Sequence, residues 1–275
     1  MPLAPPDRQQ TIGELINLAG KRAIVTGGAT GIGSAIASRF AEAGAIILIA
    51  DTDAETAEKT AGELTRGGYQ AAFVWCDVSR EQAVQEMVST AVERMGGIDI
   101  LVNNAGIYPR KPLAHMTADD FEQVIAVNLK GTFLCSREAS VRMIEQGRGG
   151  CIINIGSIDS VHPSSAGLSA YDSSKGGVLM LTKSLARELG QYDIRVNAIA
   201  PGGIMTRAMA SHTTESSPEE ARAQLKELKA FMARMALGRM GEADEIGRVA
   251  LFLASGLSSY MTGSLVVVDG GYLVS

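Results

Sequence analysis

The sequence is poor in the residues that build metal centres and disulfide frameworks. Among 275 residues there are only three cysteines, Cys76, Cys135 and Cys151, and three histidines, His115, His162 and His212. An odd, scattered set of cysteines argues against a disulfide scaffold. Cys76 and Cys151 sit in strand-like runs and read as buried thiols, which suits a reducing, cytoplasmic setting. The histidines lack the paired spacing of a zinc site, so no metal is expected. Basic residues are also in deficit, 25 against 30 acidic, a net charge of -5. Neutralising phosphates needs a basic surface, so a nucleic-acid partner is not expected. No apolar run approaches the roughly 20 residues that cross a bilayer, so no membrane partner is expected either. The opening "MPLAPPDRQQTIGELINLAG" has no basic start followed by an apolar stretch, unlike a signal peptide. Its prolines and glutamines suggest a loose arm over residues 1–17.

What is present is a regular alternation. The apolar runs "RAIVT" (22–26), "AIILIA" (45–50), "AAFVW" (71–75), "IDILVN" (98–103), "CIINI" (151–155), "IRVNAIA" (194–200) and "SLVVVDG" (264–270) are separated by helical patterns. The helices are expected near 53–66, 117–146 and 171–189, with others after the first and third runs. Short apolar strands alternating with helices imply βαβ units and a parallel sheet buried on both faces. The expected fold is a single α/β domain over residues 18–275, a Rossmann-type doubly wound sheet of about seven strands. Residues 203–241 interrupt the pattern. "SSPEEARAQLKELKAFMARM" opens with Ser217 as a helix cap, Pro218, Glu219 and Glu220. It follows the carboxyl end of a strand, the edge at which open parallel sheets bind ligands, and is expected to form a flap over a substrate.

Two stretches carry chemistry. "TGGATGIG" (26–33) joins a strand to a helix. Gly27, Gly31 and Gly33 permit a tight turn and close approach of a pyrophosphate to the helix N-terminus. Asp51 ends the next strand, where a carboxylate accepts hydrogen bonds from ribose hydroxyls and repels a 2′-phosphate. No Lys or Arg lies in "GGAT" or directly after Asp51, which points to NAD rather than NADP. The second stretch is "AYDSSKGGV" (170–178). Tyr171 precedes Lys175 by one helical turn, so both share a face. A phenol has a pKa of about 10, and lowering it by about two units takes about 2.7 kcal/mol. A nearby ammonium in a partly dry cleft can supply that, and together with a positive nicotinamide ring is expected to acidify Tyr171.

"TGGATGIG", "CDV" (76–78), "NNAG" (103–106), Asn128 in "VNLKG", Ser157 in "NIGS", "YDSSK" (171–175) and "PGG" (201–203) stand in an order and spacing that resemble the short-chain dehydrogenase/reductase family, in its ordinary-length branch. Ser173 stands where that family often has alanine, and Asp172 is an unusual neighbour for the tyrosine. The resemblance implies that Tyr171 exchanges the hydroxyl proton of an alcohol or ketone while hydride moves to or from nicotinamide. Ser157 would orient the oxygen, Lys175 would hold the nicotinamide ribose, and Asn128 would keep a water linking Lys175 to solvent. It also implies cofactor contacts from Thr30, Ile32, Asp77, Val78, Asn104, Ala105, Gly106, Pro201, Gly202, Ile204 and Thr206, besides the glycines and Asp51. Asp77 and Val78 would border the adenine. Assembly as a homotetramer or homodimer through the helices at 117–146 and 171–189 is a further implication.

The substrate side is less specific. Asp159 and His162 follow Ser157 closely, and Met205, Met209, Met232, Met235 and Met240 gather in the flap. They suggest a medium-sized secondary alcohol or ketone with an apolar part. Two other readings stand beside this one. A 3-oxoacyl thioester reductase would ordinarily use NADPH, against Asp51. A non-catalytic dinucleotide-binding scaffold would be expected to have lost Ser157, Tyr171 or Lys175.

Overall fold

In a computed structural model, which describes residues 9–206, 226 and 228–275, seven parallel strands form one sheet. They are β1 (Arg22–Thr26), β2 (Ile46–Asp51), β3 (Ala71–Trp75), β4 (Ile100–Asn103), β5 (Gly150–Ile155), β6 (Ile194–Pro201) and β9 (Leu265–Val268). The spatial order is β3-β2-β1-β4-β5-β6-β9. The order reverses between β1 and β4, and the crevice beyond their carboxyl ends is where such sheets take ligands. Both faces are covered, as successive residues of one strand show. Ala23 and Val25 of β1 pack into one apolar cluster and Ile24 into the other. Burial on both sides is why these strands are apolar throughout rather than alternating.

The helices are α1 (Ile12–Ile16), α2 (Gly31–Glu42), α3 (Ala54–Arg66), α4 (Glu81–Met95), α5 (Ala118–Ile125), α6 (Gly131–Gln146), α7 (Ser169–Leu189) and α8 (Ala243–Ala254). None is long and apolar enough to cross a membrane among the described residues. Two departures from the sequence reading matter. The N-terminal arm is not loose throughout. Thr11 and Glu14 cap each other's backbone N–H groups to start α1, and Leu15 packs on Gly256. "TIGE" is a capping-box signature that the proline-rich start obscured. The single helix expected over 117–146 is instead α5 and α6 joined by one π turn, Ala126–Lys130, which contains the buried Asn128. Such turns insert one residue into the ladder and re-aim a side chain.

Beyond β6 the chain makes β7 (Ile204–Met205), paired with β8 (Gly241–Glu242), which closes the base of the 203–241 segment. Ser217, Pro218, Glu219, Glu220 and Met209 lie outside the described residues. All three cysteines are buried free thiols. Burial pushes the Cys76 thiol up to about 12, with Asp77 adding to the effect.

Candidate active site

The glycine turn is built against the "NNAG" strand end. Gly27 and Gly31 adopt positive φ, +61° and +57°. A Cβ on Gly27 would sit 2.8 Å from Ala105 Cα, and one on Gly33 would collide with the Gly27 carbonyl. Asn104 Nδ2 donates to the carbonyls of Thr26 (3.0 Å) and Gly27 (2.8 Å). The amides of Asn104 and Ala105 donate to Thr26 Oγ1 at 3.0 and 3.2 Å. Asn104 and Ala105 therefore hold the turn's shape across the switch point. Helix α2 starts with no side-chain cap from Thr30. Its first N–H groups remain available to an anion, as do those of any uncapped N-terminus.

Asp51 is half-buried at the end of β2. Its Oδ2 accepts the Ala29 amide (3.0 Å) and its Oδ1 the Asp53 amide (3.2 Å), so it braces the glycine turn as well. Asp77 Oδ1 accepts both the amide and hydroxyl of Ser79. Val78 is buried against Gly131.

A cavity of about 450 Å³ opens at the carboxyl edge of the sheet. Ser157, Tyr171 and Lys175 line it together with Ile32, Gly106, Pro201, Gly202, Ile204 and Thr206. Lys175, 5% exposed, donates from Nζ to the Ile155 carbonyl at 2.7 Å. Its Nζ lies 5.6 Å from the centre of the Tyr171 ring. Burial lowers this ammonium's pKa to about 8. Ser157 Oγ donates to Asp159 Oδ2 (2.9 Å), accepts the Asp159 amide (3.1 Å) and is hydrogen-bonded to Tyr171. Asp159 Oδ1 takes the Ser164 amide at 2.6 Å.

The chain's own groups act on the phenol in opposite senses. Burial pushes the Tyr171 pKa above its ordinary value, the Ser157 hydrogen bond pulls it down, and Asp159, Asp172 and Tyr108 push it up again. Desolvation is the largest of these effects in the chain alone.

Asn128 is not open to solvent. Its Oδ1 accepts the Ile107 amide (2.8 Å), and its Nδ2 donates to the Ile107 carbonyl (2.9 Å) and to Ser174 Oγ (3.0 Å). The π turn thus ties the "NNAGI" loop to α7, one residue before Lys175.

On the substrate side the outcome is mixed. Asp159 lines the cavity. His162 turns instead to Arg234, at 3.2 Å. Met205 is exposed and borders a neighbouring groove with Thr30 and Gly31. Met235 and Met240 pack with Ile158 and Tyr272 rather than facing the cavity. Tyr108, Arg110, Leu168 and Phe231 line the cavity unforeseen. Tyr108 meets Tyr171 edge-on, with ring centroids 6.3 Å apart. It stands two residues after "NNAG", a position that could have been flagged. Among the described residues no His, Cys, Asp or Glu group is arranged to hold a metal ion.

A family model described as enoyl-(acyl carrier protein) reductase matches residues 27–273. The chain belongs to the short-chain dehydrogenase/reductase family. An uncharacterised oxidoreductase of Mycobacterium bovis is 42% identical over 258 residues, covering 94% of this chain and 98% of its own. The crystal structure of a short-chain dehydrogenase/reductase from Mycobacterium marinum superposes with a TM-score of 0.87 at 35% identity, covering 96% of this chain and 100% of that one. A protein described as a 2-deoxy-D-gluconate 3-dehydrogenase from Agrobacterium tumefaciens, with bound NADP, superposes at 0.84 with 34% identity, covering 95% and 99%. Members of this family bind a nicotinamide dinucleotide. The residues here fit one: an uncapped helix N-terminus, a turn that only glycine can make, and an acid at the end of β2.

Asp172 lies beside this site with an unusual electrostatic position. Its Oδ1 is buried without a hydrogen-bond partner among the described residues. Burial, then the charge of Asp159, raises its pKa to about 6. A carboxyl raised in the folded state contributes stability below its unfolded pKa and loses it as pH rises through the folded value. Asp172→Asn cannot undergo that loss. The variant is expected to melt above the parent at pH 7.5, with the gap shrinking as pH falls from about 6 toward about 4. Thermal melts at pH 7.5 and 4.5 check this, and a gap independent of pH would contradict it.

Proposed function

We propose that the protein is an NAD-dependent oxidoreductase that moves hydride between a secondary alcohol or ketone and the nicotinamide, with Tyr171 as the proton donor and acceptor. The observation that carries this reading is the convergence of the Tyr171 phenol, the Ser157 hydroxyl and the Lys175 ammonium on one cavity at the switch point. A bound dinucleotide supplies the hydride chemistry.

The chain's residues supply position and protons. Tyr171 is protonated near neutral pH, as an ordinary phenol is and the more so when buried, and is set to donate to a ketone oxygen. In the alcohol direction it must accept a proton, and Lys175 provides the nearby positive charge that favours this below a pH of about 8. Ser157 is held by Asp159. For Ser157 to donate to a ketone oxygen, its hydrogen must turn away from Asp159, a rotation about one bond. Asn128 keeps α7 and the loop after β4 in register, so that these groups stay aligned.

Tyr171→Phe is expected to cut turnover by about 10²- to 10⁴-fold while leaving NAD+ affinity nearly intact, because the ring's packing survives and only the proton carrier goes. Lys175→Ala should lower both turnover and cofactor affinity. NADH absorbance gives the rates over a panel of secondary alcohols and ketones, and calorimetry gives the affinities. A Tyr171→Phe enzyme keeping more than about a tenth of the rate would exclude Tyr171 from proton transfer.

Asp51 is the basis for choosing NAD. Its carboxylate is held by two backbone amides at the end of β2, with no basic residue directly after it, and a carboxylate there would repel a 2′-phosphate. The preference is expected as a higher kcat/KM with NAD+ than with NADP+. The reverse preference would favour the 3-oxoacyl thioester reductase reading, the activity named for a 38% identical relative from Thermotoga maritima.

We also propose a cytoplasmic homotetramer or homodimer. The three thiols are free, and Phe133 and Val141 of α6 and Met180 of α7 expose 42%, 45% and 61% of their surface. Large apolar side chains gathered on two long helices mark an association surface. Sedimentation is expected to show a dimer or larger at micromolar concentration, and a monomer there would count against assembly.

A further inference from the structure

The apolar "VVVDGGYLVS" stretch has no part in the chemistry above. Yet Tyr272 within it is 1% exposed, the bulkiest of the fully buried side chains. Its ring lies 4.7 Å from that of Phe231, tilted by 35°. Phe231 belongs to the helical residues 228–233 and lines the cavity, as does Leu228. Arg234 follows at once. Its guanidinium lies 4.2 Å from the Tyr272 ring centre, and its NH1 donates to Tyr272 Oη at 3.0 Å and meets His162 Nε2 at 3.2 Å. Arginine only donates, so in this contact His162 Nε2 is the accepting atom. Tyr272 Oη in turn reaches the Ser164 carbonyl. His162 and Ser164 belong to the loop that leaves Ser157.

The turn before Tyr272 is shaped for this contact. Asp269 accepts the amides of Gly271 and Leu273, both at 2.8 Å. Gly271 has φ +86°, and a Cβ there would stand 2.7 Å from Ala236 Cβ. The Leu237 amide donates to the Gly270 carbonyl at 3.0 Å. From the other side, a Cβ on Gly203 would come within 2.5 Å of Phe231 Cε1. Three separate segments therefore converge on residues 228–237, and each gives up side-chain bulk or supplies hydrogen bonds to do so.

We propose that Arg234 and Tyr272 are positioning residues of the substrate pocket: they clamp residues 228–237 to the loop after Ser157, and so fix Phe231 as the apolar wall of the cavity that Tyr171 and Ser157 line. The clamp sets how large a group beside the carbonyl can be seated. This rests on the ketone–alcohol reading of the site, but the clamp itself can be measured without turnover.

Arg234→Met keeps the aliphatic stem and removes the charge and donors, and Tyr272→Phe keeps the stacked ring and removes the hydroxyl. Hydrogen–deuterium exchange is followed in both variants. Arg234→Met is expected to raise exchange across 228–237 by about tenfold or more, with α2 and the central strands unchanged. Tyr272→Phe is expected to raise it less. With NADH and either 2-butanone or cyclohexanone, KM should rise several-fold in Arg234→Met, while kcat and NAD+ affinity stay within about twofold. Unchanged exchange at 228–237 overturns the clamp. An equal rise throughout the sheet overturns it too, because it marks general loss of stability. Raised local exchange with an unchanged ketone KM keeps the contact and overturns its role in the pocket. If the parent enzyme reduces neither ketone, that failure falls on the proposed substrate class, and the exchange pattern still decides the clamp.

Discussion

The two halves of this site meet at the hydrogen bond from the Lys175 ammonium to the carbonyl of Ile155, at 2.7 Å. Ile155 ends β5, and Ser157 follows two residues later. Lys175 is in α7, one turn beyond Tyr171. The bond therefore fixes the phenol's helix to the strand that delivers the serine, and the Tyr171–Ser157 contact follows from it. Burying an ammonium is costly unless it is well satisfied, and its lowered pKa records that cost. Asn128 supports the same junction from the opposite side, through Ser174. Without that buttress the helix could slide along the strand end, and the distance between phenol and hydroxyl would no longer be set.

The sheet, the glycine turn and the Ser–Tyr–Lys set were legible because each has a local signal. Strands buried on both faces are apolar throughout. A turn with positive φ and no room for a Cβ demands glycine at Gly27 and Gly33. Asp51 was found from its place at a strand end. What escaped was set by tertiary contact. Nothing in "AVNLK" announces a π turn, since its composition suits an α-helix equally well. Asp159 and His162 look alike as polar residues near Ser157, yet one turns into the cavity and the other to Arg234, 72 residues away. Methionines in the 203–241 segment read equally well as pocket or core, and Met235 and Met240 proved to be core. For the phenol, spacing showed the cation beside Tyr171 but not the depth of burial.

Those shifts bear on how the site handles protons. Burial drives the two partners toward neutrality from opposite sides, raising the phenol and lowering the ammonium. Asp159 and Asp172 strengthen the first effect. The protein by itself therefore prefers a protonated tyrosine, the form that gives a proton to a ketone oxygen. Forming phenolate requires further positive charge or hydrogen bonding in the cleft, beyond what Lys175 supplies. The cleft by itself thus holds the phenol protonated. The unusual Asp172 lies beside that phenol: its buried oxygen, without a partner among the described residues, and its raised pKa mark a position held at a cost to stability.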